Sequence, residues 1–207
     1  MEHAYTDKEG EIVCKTARKA VDSIVKDDKK ISPPKELPEI LERSSGIFVT
    51  LNKITGPDTH RLRGCIGHPY PDMPLIQATI DSAISAALRD PRFPGVKPDE
   101  LDKILVEVTI LTPPEKIEVD KPEDYLKKIK IGRDGLIVSN GFNRGLLLPQ
   151  VPVEWNWNIE EFLNHTCIKA GLSQNSWRKD SKTEILKFQG EIFQEKEPHG
   201  EIIRKQI

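Results

Sequence analysis

The sequence predicts an α+β fold built on mostly antiparallel strands, and three observations carry that reading. The chain opens on a helix with an unbroken apolar stripe. It then holds two β-hairpins, each returning through an Arg-Gly pair (Arg63-Gly64 and Arg144-Gly145), and each followed by a proline-rich turn and a helix. Between them Ile104, Val106, Val108 and Ile110 alternate with Leu105, Glu107, Thr109 and Leu111, which is the period of a strand. The recurring order of elements suggests two similar hairpin–helix halves sharing one sheet, with helices packed outside it.

Each element has a local cause. Thr6 and Glu9 have the spacing of a capping box, and Ile12/Val13, Ala17, Ala20/Val21 and Ile24/Val25 continue from it at helical period. Pro33-Pro34 keeps that helix from resuming. Gly46 to Leu51 is β-branched and aromatic, Gly56-Pro57-Asp58 is turn chemistry, and Arg61 to Gly67 returns as a second strand. The tip, Thr55 to His60, is expected to be exposed and mobile. Asp72 is the expected cap of a helix whose stripe is Ile76, Ile80, Ala83/Ile84 and Ala87/Leu88, ended at Asp90-Pro91. A short helix is expected from Pro122 to Lys128. Leu136-Ile137-Val138 and Arg144 to Leu148 form the second hairpin around Ser139-Asn140-Gly141. A helix follows from about Asn158 to Ala170, closed by Gly171. Thr183 to Glu195 reads as one final strand. The expected organisation is a single domain over residues 5–201, with frayed ends at 1–4 and 202–207.

Composition narrows the function classes. A chain of 207 residues, 31% charged and 37% apolar, has the profile of a globular protein with a sizeable core. No apolar run approaches the ~18 residues of a membrane span, and the first residues lack both the basic start and the apolar stretch of an export signal. Cys14, Cys65 and Cys167 therefore read as free thiols in a reducing cytosol. A formal net charge of −2 argues against general nucleic-acid binding, which is driven by neutralising phosphates. No cofactor is expected, since no phosphate-cradling glycine loop, Ser-His-Asp order or paired-carboxylate motif is present.

The segment that scaffolding explains least is Leu62-Arg63-Gly64-Cys65-Ile66-Gly67. Glycine weakens a strand interior and marks a bulge or a close approach to the backbone. Strand alternation sets Arg63, Cys65 and Gly67 on one face, where a guanidinium would favour the thiolate that a nucleophile needs. The competing reading is that Cys65 is a small core residue. Asp90 and Arg92 are either functional loop residues or a turn with an internal ion pair. Glu107 is a base if its face is buried, and a solvated carboxylate if its strand is an edge, which is the preferred reading. Gln150 and Glu154 follow the second hairpin and are within reach of a site. His68, three residues after Cys65, could join His165 and Cys167 as zinc-type ligands. However, His165 and Cys167 stand ~200° apart on a helix, so no metal site is expected. Trp155-Asn156-Trp157 is expected to pack on the adjacent helix rather than stack on bases. Lys127 to Arg133 reads as a solvated face.

The hexapeptide resembles the signature of the AMMECR-type domain family. The likeness continues through Asp90-Pro91-Arg92-Phe93, Leu147-Leu148-Pro149-Gln150-Val151, Trp157, Phe162-Leu163, Thr166-Cys167, Lys169-Ala170-Gly171-Leu172 and Trp177. It spans nearly the whole chain. The resemblance implies a barrel-like sheet made from two halves, a larger and a smaller subdomain with a cleft between them, and association with Memo-like and radical-SAM proteins. It implies no particular reaction. It makes the hexapeptide the expected site, with Cys65 and Arg63 as catalytic candidates and Gly64, Gly67, His68, Asp90, Arg92 and Gln150 as binding candidates. The site acts either on a small molecule or modified macromolecule, or as a recognition surface for a protein partner.

Overall fold

A computed structural model describes residues 4–57 and 59–205. Most of the expected frayed start, Asp58 of the first turn and residues 206 and 207 lie outside the described residues. Along the chain come α1 (Asp7–Asp27), α2 (Glu39–Glu42), β1 (Ile47–Gly56), β2 (Thr59–His68), α3 (Leu75–Leu88), a 3-10 helix (Pro98–Lys103) and β3 (Ile104–Leu111). Next are β4 (Glu115–Lys116), α4 (Tyr125–Lys128), β5 (Gly135–Asn140), β6 (Asn143–Leu147), α5 (Gln150–Glu154), α6 (Ile159–Lys169), α7 (Ser176–Lys179) and β7 (Glu184–Phe188). β8 (Gly190–Glu195) and β9 (Ile202–Lys205) complete the order. The chain forms two compact units: one runs to Leu111 and resumes at Glu191, and the other is Thr112–Gly190.

In the first unit the strands lie in the order β2-β1-β3-β8-β9. α1 starts where the sequence places it, with the Thr6 side chain accepting from the Glu9 amide in a capping box. Ile47, Val49 and Leu51 of β1 and Val106, Val108 and Ile110 of β3 form one core with Val13, Ala17 and Val21 of α1 and Ile80, Ala83 and Ala87 of α3. Each of the valines, leucines and isoleucines among them stabilises by about 1.5–3 kcal/mol on burial. A one-residue slip would put Thr50 and Glu107 into this core, so the pairing Thr50–Glu107 across β1 and β3 is strongly specified. The face away from the helices therefore carries Phe48, Thr50 and Asn52 beside Thr109, Glu107 and Leu105.

The second unit has the order β4-β7-β5-β6 around a separate core that includes Leu136, Val138, Phe162, Leu163, Cys167 and Trp177. Both units repeat hairpin, helix and a third strand antiparallel to the first: β1-β2-α3-β3 and β5-β6-α6-β7. The repeated Arg-Gly has one physical reason in both places. A Cβ on Gly64 would lie 2.1 Å from the Ala86 carbonyl oxygen near the end of α3, and one on Gly145 would lie 2.4 Å from the Ala170 nitrogen at the end of α6. Each glycine lets its own helix lie directly on the strand.

The α+β class and antiparallel pairing are those expected, while the halves occupy two sheets rather than one and neither sheet closes into a barrel. Local readings are corrected as well. α3 begins after Pro74, with no side-chain cap, so Asp72 does not cap it. α5 forms across Pro152, whose missing N–H falls in the first turn, where no intrahelical acceptor exists. The run 183–195 breaks at Gln189 into β7 and β8, which belong to different sheets. At the break the Gln189 amide donates to Thr112 Oγ1 at 2.9 Å, and the Thr112 amide donates to the Gln189 carbonyl at 2.8 Å. Residues 202–205, expected to fray, form β9, and the Arg204 guanidinium bonds the Tyr5 carbonyl and Asp7.

Candidate functional site

The hexapeptide lies on β2, an edge strand. Leu51 pairs with Gly64 and Asn52 with Leu62, so Arg63 is the extra residue of a β-bulge. The bulge takes Arg63 out of the alternation that would have put it beside Cys65. Its guanidinium instead meets Glu100 of the 3-10 helix, with Nε at 3.1 Å and Nη2 at 2.9 Å, and donates to the Pro94 and Gly95 carbonyls. Arg63 is buried, and a guanidinium so engaged has little left for a ligand. The expected anion contact at Arg63 is thereby corrected to a structural clamp.

That clamp has a pH signature. Hydrogen bonds from Arg63 hold the Glu100 carboxyl at about 2 instead of its ordinary 4.5. A folded pKa below the unfolded one gives stability that is present above the unfolded value and lost as pH falls through the folded one. Melting temperature should therefore fall as pH drops from about 4.5 to about 2, and Glu100→Gln should flatten that part of the profile. An unchanged slope in Glu100→Gln would refute the assignment.

Cys65 is held by the Asp90-Pro91-Arg92 turn. Its amide donates to Asp90 Oδ2 at 2.9 Å, and its carbonyl accepts from Arg92 Nη2 at 3.2 Å. The turn thus closes the outer edge of β2 as a neighbouring strand would. Asp90 is buried, and Arg92 binds it through Nε at 3.0 Å and Nη2 at 2.7 Å. These bonds hold the Asp90 carboxyl well below the usual carboxylate range, against the opposing effect of burial. The internal ion pair, one of the two readings of this turn, is present. Arg92 is also 54% exposed, and its guanidinium lies over the Phe93 ring at 5.5 Å.

Thr50 stands opposite Cys65 on one side and opposite Glu107 on the other, so Cys65, Thr50 and Glu107 form one row across three strands. Thr50 Oγ1 donates to Cys65 Sγ at 3.3 Å, and Glu107 Oε2 lies 3.0 Å from Lys205 Nζ on β9. Glu107 is therefore on an inner strand and ion-paired, not an edge residue facing open water. Burial pushes the Cys65 thiol up; the Thr50 hydrogen bond and the Arg92 charge pull it down without prevailing, and the charges of Asp90 and Glu107 reinforce burial. Burial thus works against the thiolate expected beside Arg63, and the thiol is half-buried.

The remaining candidates divide. Gly67 lies opposite Phe48, and a Cβ there would sit 2.3 Å from the Ile47 carbonyl oxygen and 2.5 Å from the Phe48 ring. Neither Gly64 nor Gly67 has a positive φ, so both are required by space and not by backbone angle. His68 ends β2 opposite Ile47. Gln150 opens α5 in the second unit and is not part of this row. Cys167 is in that unit's core, and His165 stacks on Trp157 with ring centroids 3.8 Å apart. Trp157 thus packs on α6 as expected, while Trp155 stacks on Trp157 and is 68% exposed. Sequence reasoning missed Thr50, Glu100 and Lys205. Counting equally outward from a turn at residues 57–58 would have set Thr50 opposite Cys65.

The AMMECR1 family model matches residues 14–193. The chain belongs to the AMMECR1 family. A protein of Thermococcus gammatolerans is 52% identical over 201 residues, covering 97% of each chain. Protein MJ0810 of Methanocaldococcus jannaschii is 50% identical over 202 residues, covering 98% of each. The crystal structure of protein PH0010 from Pyrococcus horikoshii resembles this AMMECR1 fold with a TM-score of 0.83 at 52% identity, covering 98% of both chains. Among the described residues of this AMMECR1 chain, no helix is long and apolar enough to cross a membrane.

Proposed function

We propose that this AMMECR1-family protein recognises an anionic group at the surface formed by Arg92, Cys65 and Thr50, with the thiol acting as a neutral contact, and that it works as a binding module. The observation that carries this reading is the Arg92 guanidinium. Nε and Nη2 are fixed by Asp90 and the Cys65 carbonyl, the side chain is 54% exposed, and its charge acts on the thiol. A guanidinium fixed in this way loses little freedom on taking a carboxylate or phosphate oxygen. Burial, meanwhile, disfavours the thiolate that covalent catalysis would need. The family resemblance supports a place in a pathway with Memo-like and radical-SAM proteins, where the module would bind a small molecule or a protein partner, and the free cysteines suit a reducing cytoplasm.

Iodoacetamide labelling of Cys65, followed by mass spectrometry against pH, tests the reading. The half-maximal rate should come above the ~8.5 of an ordinary thiol, and phosphate or acetate should slow labelling in the wild type and not in Arg92→Gln. Cys65→Ser should melt within a few degrees of wild type, because Thr50 Oγ1 remains a partner for the new hydroxyl. A labelling midpoint below about 7 would return the site to thiolate chemistry. Labelling indifferent to both anions would remove the recognition reading.

A further inference from the structure

Beyond the guanidinium and the thiol, the row carries a group of opposite charge. Arg92 lies outside the edge strand β2, and Glu107 lies two strands inward on β3. Cys65 and Thr50 fill the interval, and both are half-buried, as is Glu107. These are a thiol, a hydroxyl and a carboxylate in one row across the sheet, with a cation at its outer edge, all within the first unit. We propose that the ligand of this surface is bipolar, with an anionic group on Arg92 and a primary amine on Glu107, joined by a chain that lies over Cys65 and Thr50. The inference rests on the anion reading of Arg92 given above.

Strand spacing sets the length of that ligand. At about 4.8 Å per strand, with Arg92 bonded to the outward carbonyl of β2, the two protein charges stand roughly 15 Å apart in the sheet plane. Allowing about 3 Å for a hydrogen bond at each end leaves on the order of 10 Å between the ligand's own charges. Glu107 already holds an ammonium, that of Lys205, so the chemistry it selects is present in the fold. Lys205 is 52% exposed and sits at the end of the edge strand β9. The ammonium end of that pair is exposed while the carboxylate is largely covered, so a ligand amine can take Glu107 as the Lys205 side chain moves into solvent. Thr50 Oγ1 and Cys65 Sγ offer only weak polar contacts between the ends, which suits a connecting chain without charge of its own.

The test uses ω-amino carboxylates as rulers. Aminohexanoate, aminooctanoate and aminodecanoate are compared with octanoate and N-acetyl-aminooctanoate for protection of Cys65 from iodoacetamide in the full chain. Protection should peak near the aminooctanoate length. It should require about tenfold less of that compound than of octanoate or the acetylated form, as one added charge-assisted contact implies. Glu107→Gln should bring the amino compounds down to octanoate's level, and Lys205→Met should strengthen them by removing a competitor. Arg92→Gln should abolish protection by all. Equal protection by octanoate and the amino compounds at every length overturns the bipolar ligand while leaving anion recognition standing. No protection by any compound, with phosphate and acetate also silent, overturns both.

Discussion

Replacing Glu195 by glutamine should lower stability by about 3–5 kcal/mol, the largest loss expected from any isosteric change in this protein. Glu195 Oε1 accepts from Arg18 Nε at 2.8 Å, and Oε2 accepts from Arg18 Nη2 at 2.5 Å and from the Val106 amide at 2.9 Å. Both side chains of the pair are almost wholly buried, at 6% and 2% exposure. One carboxylate thereby ties α1, β3 and β8 together, and the chain's return from the second unit ends on it. Glutamine keeps the shape, but it leaves the buried Arg18 charge with only the Asp22 carboxylate at 3.5 Å and turns one acceptor into a donor. At about 2–4 °C per kcal/mol for a chain of this size, the melting temperature should fall by roughly 10–15 °C. Removing both charges should hurt less: Arg18→Met with Glu195→Leu should recover much of the loss, because the desolvation penalty disappears with the pair. A double variant no more stable than Glu195→Gln would show that the geometry of the pair, and not its charge, holds these elements.

Gly64→Ala should also unfold the first unit early, by about 3 kcal/mol, the upper end of overpacking costs, because the new methyl meets backbone and not a side chain that can turn away. The 2.1 Å separation from the Ala86 carbonyl oxygen forces β2 away from α3, or α3 off the core that Ile80, Ala83 and Ala87 share with β1 and β3. Gly145→Ala should do the same in the second unit, through the Ala170 nitrogen at 2.4 Å. Gly141 is the control. Its φ is +59° with nothing near a Cβ, so Gly141→Ala should cost only about 1 kcal/mol of backbone strain. Thermal melts of the three variants decide between the two reasons for a glycine. If Gly64→Ala melts no lower than Gly141→Ala, the close approach is not what Gly64 provides.

Much of this fold was legible because its signals are local. The Thr6–Glu9 box, the alternation from Ile104 to Leu111 and the closing Gly171, with φ +75°, each act within a few residues, and each stands where the sequence put it. The hexapeptide was marked for the same reason, since two glycines in one strand demand a neighbour wherever the chain folds. The distribution of roles within it was not legible. Alternation paired Arg63 with Cys65, and only the bulge opposite Leu51 and Asn52, with Glu100 waiting 37 residues away, turned that guanidinium aside. Arg92 and Asp90 reached Cys65 because α3 brings the following turn back along β2, a long-range closure no local period encodes.

The sequence by itself thus determined the helices, the hairpins, the repeated order and the segment to look at, since caps, turns and periodicity are properties of neighbouring residues. Tertiary structure decided which arginine faces the thiol, whether that thiol is charged, and where the run 183–195 changes sheets. Those depend on desolvation and on partners far along the chain, and they exist only once the core has closed.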